Sequence, residues 1–342
     1  MIRFFGKFFL FLLILVSIKW LLVYLTDSLN PSTGTLTGKI RLLSTLEAPT
    51  NTLFIGSSRT NTSLNPAYFD SLTQQTHAVN LGVNGLLMPY TADLCEEVLG
   101  RPESGIRYIL FELSLPNSPQ DPFQGKLLRN ALFYWHYETA ILSRWTAETD
   151  SVLNVRLNDQ VYYVLSPAML LTFNELFALK EKLSGMVRQA LPSKKPRRLL
   201  APMPTDNGYV RSTRQLTEKS AALLATHAHG LKIYQDKPLP MDSAYSFYYK
   251  KLNALQRLAT QKGIKLFFYL PNRMNVEEAE VLLSFFHQLA PSQRLGIPYD
   301  ARFDQLFEPR FSDDERHLNY KGAKVYTSLI AEAFCRQFHE VP

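Results

Sequence analysis

Short apolar segments alternate with helical segments along most of this chain, and this alternation limits its fold more than any other feature. Four runs have the length and the β-branched or aromatic content of buried strands: Thr52–Ile55, Thr76–Leu81, Tyr108–Leu113 and Ile264–Leu270. Four longer stretches are predicted helices: Tyr90–Leu99, Ser246–Gln261, Val276–Leu289 and Tyr320–Phe338. A fifth, short strand is expected near Pro298 and Tyr299. Helices that separate strands indicate an α/β fold whose strands run parallel in one sheet.

The region between about residues 119 and 215 interrupts this alternation. It contains two aromatic-rich helical segments, Leu127–Arg144 and Ala168–Leu191, and a basic loop. We interpret it as a helical insertion or cap within one domain that spans residues 50–342. An alternative of equal weight is that the region merely extends the core.

The composition is typical of a globular protein. Of the 342 residues, 46% are hydrophobic and 12% aromatic, which predicts a large core and excludes disorder. The net charge of +7 comes partly from the N-terminus and partly from a basic cluster at residues 194–198. No basic stripe interleaved with stacking aromatics is present, so we expect no nucleic-acid partner. The basic cluster is typical of a solvated loop, and contact with anionic lipid headgroups is the alternative.

The cysteines and histidines do not form a recognisable metal or disulfide pattern. Cys95 and Cys335 lie in apolar helical contexts that are typical of buried free thiols. A zinc site needs about four ligands, and His227 and His229 have no further ligands at suitable spacing. We expect neither a metal nor a cofactor.

The N-terminus has the pattern of a membrane anchor. Arg3 and Lys7 precede an apolar run, Phe8–Leu25, which would span roughly 27 Å as a helix at about 1.5 Å per residue. No small-residue cleavage site follows, and because positive charge precedes the span we predict an uncleaved signal anchor over residues 1–27. A cleaved signal peptide and a buried helix are the alternatives. Residues 28–49 are rich in Ser, Thr, Asn, Gly and Pro, and we interpret them as a linker.

A glycine–serine–serine turn directly follows the first predicted strand. A nucleophilic serine works best on a tight strand-to-helix turn, where its hydroxyl is exposed and its backbone N–H can face a developing oxyanion. Gly56 gives such a turn its steric freedom, and Ser58 is the candidate nucleophile. Taken alone, the pattern fits an ordinary Gly-Ser-Ser turn better.

Two further polar motifs follow the second strand and precede the last helix. The first, Asn80–Gly85, has glycines that let a backbone N–H approach a substrate carbonyl. The second places Asp314 three residues before His317, so that the carboxylate can hold one imidazole nitrogen while the other accepts the serine proton. A helix cap beside a surface histidine is the alternative. Because the carboxyl ends of parallel strands share one crevice, we expect the three motifs to meet there.

Together these motifs resemble the SGNH/GDSL hydrolase superfamily. The similarity lies in strand-Gly-Ser-Ser, then Asn-x-Gly, then a C-terminal Asp-x-x-His-Leu-Asn-x-x-Gly-Ala, and it covers about residues 50–110 and 262–340. Within the superfamily, the chain is similar to the membrane-anchored branch that contains the lipoteichoic-acid D-alanylation protein and the alginate O-acetylation accessory proteins. The resemblance implies a flavodoxin-like parallel sheet.

The resemblance also implies the roles of the motif residues. Ser58 would be the nucleophile, His317 the general base and acid, and Asp314 the group that orients His317. The backbone N–H groups of Ser58 and Gly82 would form the oxyanion hole.

The chain departs from the superfamily after the third strand, where a Gly-x-Asn-Asp motif normally supplies a further oxyanion donor. Asn84 and Asn117 are the candidates to replace it. Losing one donor typically costs roughly a hundred- to a thousandfold in rate, so we expect weak general esterase activity. Arg59, beside the nucleophile, is a candidate to bind an anionic or glycan substrate, with a surface salt bridge as the alternative.

Three hypotheses about function follow. The first is an extracytoplasmic enzyme on the inner or cytoplasmic membrane that transfers an acyl group, expected to be acetyl, to or from a cell-envelope carbohydrate polymer through an acyl-serine. For this hypothesis the resemblance implies a multi-spanning membrane O-acyltransferase as partner. The second is an autonomous membrane-anchored esterase or lysophospholipase. The third is a catalytically weak glycan-binding scaffold.

Overall fold

The computed structural model describes residues 50–88, 90–100, 105–115, 207–214 and 245–339, together with positions 6, 7, 10, 11, 14, 17, 39, 42, 203, 204, 216 and 224. Residues 33–155 and 199–342 belong to one compact unit, which we call the main unit, and residues 1–32 and 156–198 belong to another. The sheets and helices named below all lie in the main unit.

The main unit is built on a four-stranded parallel sheet. In chain order the strands are β1 (Thr52–Ile55), β2 (Ala78–Asn80), β3 (Tyr108–Glu112), β4 (Met203–Pro204), β5 (Val210–Arg211) and β6 (Lys265–Tyr269). The large sheet has the order β2-β1-β3-β6, and β4 pairs with β5 in a separate antiparallel pair. The α/β fold with a parallel sheet is therefore confirmed.

The register aligns apolar residues across the sheet. Leu53 of β1 pairs with Val79 on one side and with Ile109 on the other, and Ile109 pairs with Leu266. All four residues of β1 are buried, so both faces of this central strand are covered. Near-continuous apolar strands are typical of parallel sheets that carry helices on both faces.

Seven helices accompany the sheet in the described ranges. They are α1 (Ser58–Ser63), α2 (Pro66–Thr73), α3 (Tyr90–Gly100), α4 (Ser246–Gln261), α5 (Val276–Gln288), α6 (Ala301–Gln305) and α7 (Tyr320–His339). The predicted α4 has the bounds that the structure gives it, and α3, α5 and α7 differ from the prediction by one residue at the C-terminal end. The short helices α1, α2 and α6 were not predicted.

Aromatic side chains join two of the helices to one face of the sheet. The ring of Phe69 on α2 lies 5.0 Å from that of Phe54 on β1 and 5.3 Å from that of Phe334 on α7, each pair edge to face. Phe334 also contacts Tyr108 of β3 at 5.2 Å and Phe267 of β6 at 5.8 Å. Such pairs stabilise a core beyond the apolar area that they bury.

The prediction of a short strand near Pro298 and Tyr299 was wrong. Those two residues are irregular, and the nearest strand-like contact is an isolated parallel bridge between Phe268 and Arg294. Pro298 has no amide N–H to donate to a neighbouring strand, which explains why pairing stops before it.

Residues from two segments, one at the end of the predicted insertion and one in the predicted linker, lie against the sheet. The first is the return segment, residues 207–214, which ends the predicted insertion. The carbonyl oxygen of Asn207 accepts the Asn80 amide at 2.9 Å, and that of Ser212 accepts the Tyr320 amide at 2.8 Å. The second comprises Lys39, only 1% exposed, and Leu42, which packs on the core. These two residues of the predicted linker are thus part of the folded body.

Most of residues 1–27, and the predicted helices at 127–144 and 168–191, lie outside the described residues. The described positions Leu10, Phe11 and Ile14 are helical and exposed. Within the part of the chain that the structure describes, no helix combines the length and the apolar character that a membrane crossing requires.

Candidate active site

Ser58, His317 and Asp314 form one hydrogen-bonded series at the carboxyl end of the sheet. The Oγ of Ser58 lies 2.7 Å from Nε2 of His317. The other ring nitrogen, Nδ1, lies 2.8 and 2.9 Å from the two carboxylate oxygens of Asp314. All three residues are partly exposed, so a substrate can reach them. The structure therefore brings together the three side chains that the sequence analysis named as a triad.

The turn that presents Ser58 is fixed by its neighbours. Ser57 is the N-cap of α1, and its hydroxyl accepts the Arg59 amide at 3.1 Å, as N-cap serines do. A Cβ on Gly56 would lie 2.6 Å from the Cβ of Glu112 and nearer still to the Thr60 hydroxyl. Only glycine fits where β1 passes into α1, because β3 and the helix approach the backbone so closely.

The ionised carboxylate of Asp314 selects the tautomer of His317. Partial burial by itself would raise the pKa of Asp314, but hydrogen bonds from the His317 ring and from two amides outweigh it and lower the pKa to about 2. Those amides belong to Arg316 at 2.8 Å and His317 at 2.7 Å. A carboxylate only accepts, so Nδ1 carries the hydrogen and the lone pair of Nε2 faces Ser58.

The loop that carries Asp314 and His317 is closed on itself and tied to α7. The Asp313 amide donates to the His317 carbonyl at 2.9 Å, and Ser312 and Leu318 form an antiparallel bridge. Asn319 then caps α7, because its Oδ1 accepts the amides of the second and third helical residues at 3.0 and 3.2 Å. The predicted Asp-x-x-His-Leu-Asn motif thus combines the candidate acid–base pair with the start of a helix.

A buried arginine that the sequence analysis did not single out holds this loop from inside. Arg273 is 1% exposed and lies four residues after the end of β6. One of its nitrogens, Nη1, donates to the carbonyl oxygens of Asp314 at 2.8 Å and His317 at 3.2 Å. The other, Nη2, donates to the Ser312 hydroxyl at 2.6 Å and to the Leu306 carbonyl. Burial lowers the pKa of Arg273 to about 10, so the guanidinium remains charged at neutral pH.

A fully buried carboxylate supports the nucleophile from the other side. Glu112 ends β3 and is 0% exposed. One of its oxygens accepts the Ser57 hydroxyl at 2.7 Å and lies 3.4 Å from Nε of Arg59, and the other accepts the Thr60 hydroxyl. Thr60 in turn contacts the Tyr269 hydroxyl at 2.7 Å. The residues on both sides of Ser58 are therefore fixed to β3.

Arg59 is directed into the interior and not toward solvent. It is 7% exposed, and its guanidinium donates to the Arg273 carbonyl at 2.8 Å and to Glu278 at 2.7 Å. The sequence position of Arg59 was interpreted either as a substrate contact or as a surface salt bridge. The structure instead has a buried ion pair between Arg59 and Glu278. Asn117, a candidate for the further oxyanion donor, lies outside the described residues.

The two oxyanion candidates in the loop after β2 have different surroundings. The Gly82 amide donates to the Asn80 side chain at 2.8 Å, and a Cβ on Gly82 would lie 2.4 Å from the Asn61 amide nitrogen. Gly82 thus permits α1 to pack on the loop, and its N–H has an acceptor within the protein. Asn84 is exposed, and its Oδ1 accepts Nδ2 of Asn61 at 3.0 Å.

The other ligand-bearing side chains form no further site among the described residues. No group of three His, Cys, Asp or Glu residues there is arranged to hold a metal ion. Cys95 is buried in α3, where burial raises the pKa of its thiol, and Cys335 is half-buried in α7. The arrangement of Ser58, His317 and Asp314 permits nucleophilic attack by a serine hydroxyl with transfer of its proton to the imidazole.

Sequence reasoning missed Arg273, Glu112, Asn61 and Lys39. Arg273 and Glu112 had a usable signal, because each is a charged residue at or just beyond the carboxyl end of a buried strand. Asn61 and Lys39 had none, since one lies in a short helix that was not predicted and the other in the predicted linker.

The chain matches no protein-family model, no curated protein and no solved structure.

Proposed function

We propose that this chain is a serine-dependent acyl-transfer enzyme of the SGNH type, with Ser58, His317 and Asp314 as its triad. The observation that carries the proposal is the hydrogen-bonded series from Ser58 through His317 to Asp314. The strand order β2-β1-β3-β6, with Ser58 following the central strand β1, agrees with a flavodoxin-like SGNH domain. All three residues lie at the carboxyl edge of a parallel sheet. Ligands bind at this edge in such folds.

In the first half-reaction, Ser58 Oγ attacks the carbonyl carbon of an acyl donor while its proton passes to Nε2 of His317. Asp314 stabilises the imidazolium that forms. The tetrahedral intermediate then expels the donor alkoxide, which takes the proton from His317, and an acyl ester on Ser58 remains. In the second half-reaction His317 deprotonates the acceptor hydroxyl, which attacks this ester, and the proton returns to Ser58 when the acceptor leaves as its own ester.

The oxyanion needs donors that face the reacting carbonyl. The amide of Ser58 is one, because the first amides of a helix have no intrahelical acceptor. In the loop after β2 the exposed residues are Asn84 and Gly85, whereas residues 81–83 are buried. We therefore assign the second donor to Asn84 in preference to Gly82, whose amide already donates to Asn80.

The acceptor that we propose is a hydroxyl of a cell-envelope carbohydrate, and the acyl group is acetyl. An apolar N-terminal run preceded by Arg3 and Lys7 supports a signal anchor that leaves the main unit outside the inner or cytoplasmic membrane. A site held near the membrane surface would receive acyl groups at high effective concentration from a multi-spanning membrane O-acyltransferase. That protein is the partner we propose.

Covalent labelling tests the nucleophile. An aryl phosphonate should add to Ser58 of the purified full chain, and digestion followed by mass spectrometry should locate the adduct on the peptide that contains it. Ser58→Ala should abolish the adduct. Ser63→Ala, a change of the same kind on the same helix, should leave it in place. Absence of an adduct on Ser58 in a folded chain would identify a binding scaffold and end the enzyme proposal.

A second experiment separates transfer from hydrolysis. We expect the purified full chain to turn over an aryl acetate slowly, and polymer acylation in cells to disappear without the partner acyltransferase. Fast hydrolysis in solution, together with unchanged polymer acylation in cells that lack the partner, would establish an autonomous esterase or lysophospholipase.

A further inference from the structure

Lys39 is a buried cation whose surroundings consist of oxygen acceptors. It is 1% exposed, and its Nζ donates to the Asn61 side-chain oxygen at 2.9 Å, to the Asn80 carbonyl at 2.8 Å and to the Gly208 carbonyl. A protonated amine has three N–H groups and no acceptor, so its donors and these three acceptors match in number. Burial lowers the pKa of Lys39 to about 7, and the amine is therefore protonated at pH 6.

These contacts determine which way the Asn61 side chain faces. Backbone carbonyls only accept, so two N–H groups of Lys39 go to Asn80 and Gly208, and the third points at Asn61. A donor of this kind excludes the orientation in which the Asn61 NH2 group faces Lys39. Its oxygen therefore turns to Lys39, and its NH2 group turns to the Oδ1 of Asn84 at 3.0 Å.

The orientation of the Asn61 side chain in turn determines that of Asn84. Because Asn61 presents a donor, Asn84 must present its oxygen, and in a planar carboxamide the NH2 group then lies on the other side of the carbonyl carbon. Asn84 is exposed in the loop beside α1. Ser58 and Asn61 are three residues apart on α1, which places them on the same side of that helix. Asn61 therefore links the Asn84 amide to the helix that carries the nucleophile.

We propose that Lys39 is a positioning residue for catalysis, which acts through Asn61 to aim the NH2 group of Asn84 at the oxyanion. This inference rests on the proposed function, since it assigns an oxyanion donor to the Ser58 site. It gives the buried amine a role in addition to pairing three buried oxygens. It also gives the Asn84 amide, in an exposed loop, a fixed orientation.

The decisive variant is Asn61→Asp. The carboxylate keeps its contact with Lys39 as an ion pair, but it offers Asn84 an acceptor in place of a donor, which favours the opposite orientation of the Asn84 amide. Labelling of Ser58 by an aryl phosphonate at pH 6, on the full chain, should slow by about a hundredfold, as expected for the loss of one oxyanion donor. Asn84→Ala should slow it equally, and the double variant should be no slower than either single one.

Two comparisons make the result specific. Asn65→Asp is the matched control, because this N-cap side chain only accepts, from the Tyr68 amide, and its labelling rate should not change. Lys39→Met should slow labelling as much as Asn61→Asp, and it too should add nothing in the Asn84→Ala background. Thermal unfolding of each variant separates this effect from loss of the fold, and if Lys39→Met does not fold, Asn61→Asp still decides the question.

The outcomes distinguish this proposal from the proposed function. If wild-type Ser58 is not labelled, the proposed function itself fails. If Ser58 is labelled and Asn84→Ala is slow, but Asn61→Asp reacts at the wild-type rate, the function stands and the positioning role is overturned. Full additivity of Asn61→Asp and Asn84→Ala, or a wild-type rate for Asn84→Ala, would overturn it as well.

Discussion

Arg273 donates an N–H to the backbone carbonyl of Asp314 at 2.8 Å, and it holds the carboxylate in place without touching it. The same nitrogen reaches the carbonyl of His317 at 3.2 Å. The two ends of the Asp-x-x-His turn are thus attached to one rigid planar group. The side chains of Asp314 and His317 remain available to each other and to Ser58 because the guanidinium binds only main-chain oxygens of these two residues.

We expect Arg273→Lys to slow the labelling of Ser58 by about a hundredfold, since misplacement of a catalytic group by about 1 Å has an effect of that size. A single amine cannot replace two nitrogens that contact four acceptors. Buried acceptors left unpaired should also destabilise the fold by about 1–3 kcal/mol each. The labelling rate and urea unfolding of the variant measure both effects. Arg336→Lys, a change at an exposed site with one carbonyl contact, is the control. An unchanged labelling rate for Arg273→Lys would show that Arg273 does not hold the loop of Asp314 and His317 in place.

The triad should behave as a unit. Ser58→Ala, His317→Ala and Asp314→Ala should each abolish acyl transfer while leaving the unfolding midpoint within a few degrees of the wild type. Because the three residues act in one step, combining His317→Ala with Ser58→Ala should cost little more than Ser58→Ala alone. Polymer acylation in cells that carry each variant provides the measurement. A fully active Ser58→Ala protein would contradict the assignment.

Arg59 offers a test of buried against exposed ion pairs. Arg59→Met leaves the buried carboxylate of Glu112 and the nearby Glu278 without their cation, and we expect a loss of about 3–5 kcal/mol in the free energy of unfolding. Arg302→Met removes the exposed pairs with Asp300 and Glu332 and should change that free energy little. Urea unfolding of both variants gives the comparison. Equal losses would mean that the Arg59 pair has no special structural weight.

The lowered pKa of Asp314 predicts how stability depends on pH. The folded value of about 2 lies below the ordinary value of 3.8, so the ionised carboxylate stabilises the fold above about pH 4. That contribution should be lost as the pH falls from about 4 toward 2. The difference in unfolding free energy between the wild type and Asp314→Asn should therefore be constant near neutrality and shrink in this acidic range. A difference that stays constant down to pH 2 would contradict the shift.

The position of Lys39 predicts where the chain can be shortened. A chain that begins at residue 50 lacks Lys39 and Leu42, and it leaves the oxygens of Asn61, Asn80 and Gly208 without their donor. Each such loss costs about 1–3 kcal/mol when the group stays buried. A chain that begins at residue 33 should keep the wild-type midpoint in urea, whereas one that begins at residue 50 should unfold at lower urea. Identical midpoints would show that water replaces the amine.

The parts of the fold that could be predicted from sequence are those with a strong repeating pattern. The strands β1, β3 and β6 are mainly apolar runs, and α4 and α7 are long enough for their periodicity to be unambiguous. The three motifs meet because parallel strands bring their carboxyl ends to one edge, and this follows from topology alone. The predicted strand near Pro298 was wrong because a proline has no amide N–H to pair with a neighbouring strand.

What could not be predicted depends on contacts between distant parts of the chain. The amine of Lys39 reaches the Gly208 carbonyl across 169 positions, and no local pattern marks either residue. Arg59 was interpreted as a surface or substrate-binding residue because its neighbour is the candidate nucleophile, and only the position of Glu278 reveals that it is buried. Such pairs depend on tertiary packing, which the periodicity of a sequence does not reveal.

The hydrogen bond between Ser58 and His317 joins residues that are 259 positions apart. During synthesis, β1 and its two neighbours in the sheet, β2 and β3, are complete long before the histidine has left the ribosome. A growing chain therefore carries the Ser58 hydroxyl without the imidazole to which it is hydrogen-bonded in the folded protein. If Ser58 is the nucleophile that we propose, it gains its base only when the loop before the last helix docks. An acyl group on Ser58 would then report that a molecule has finished both translation and folding.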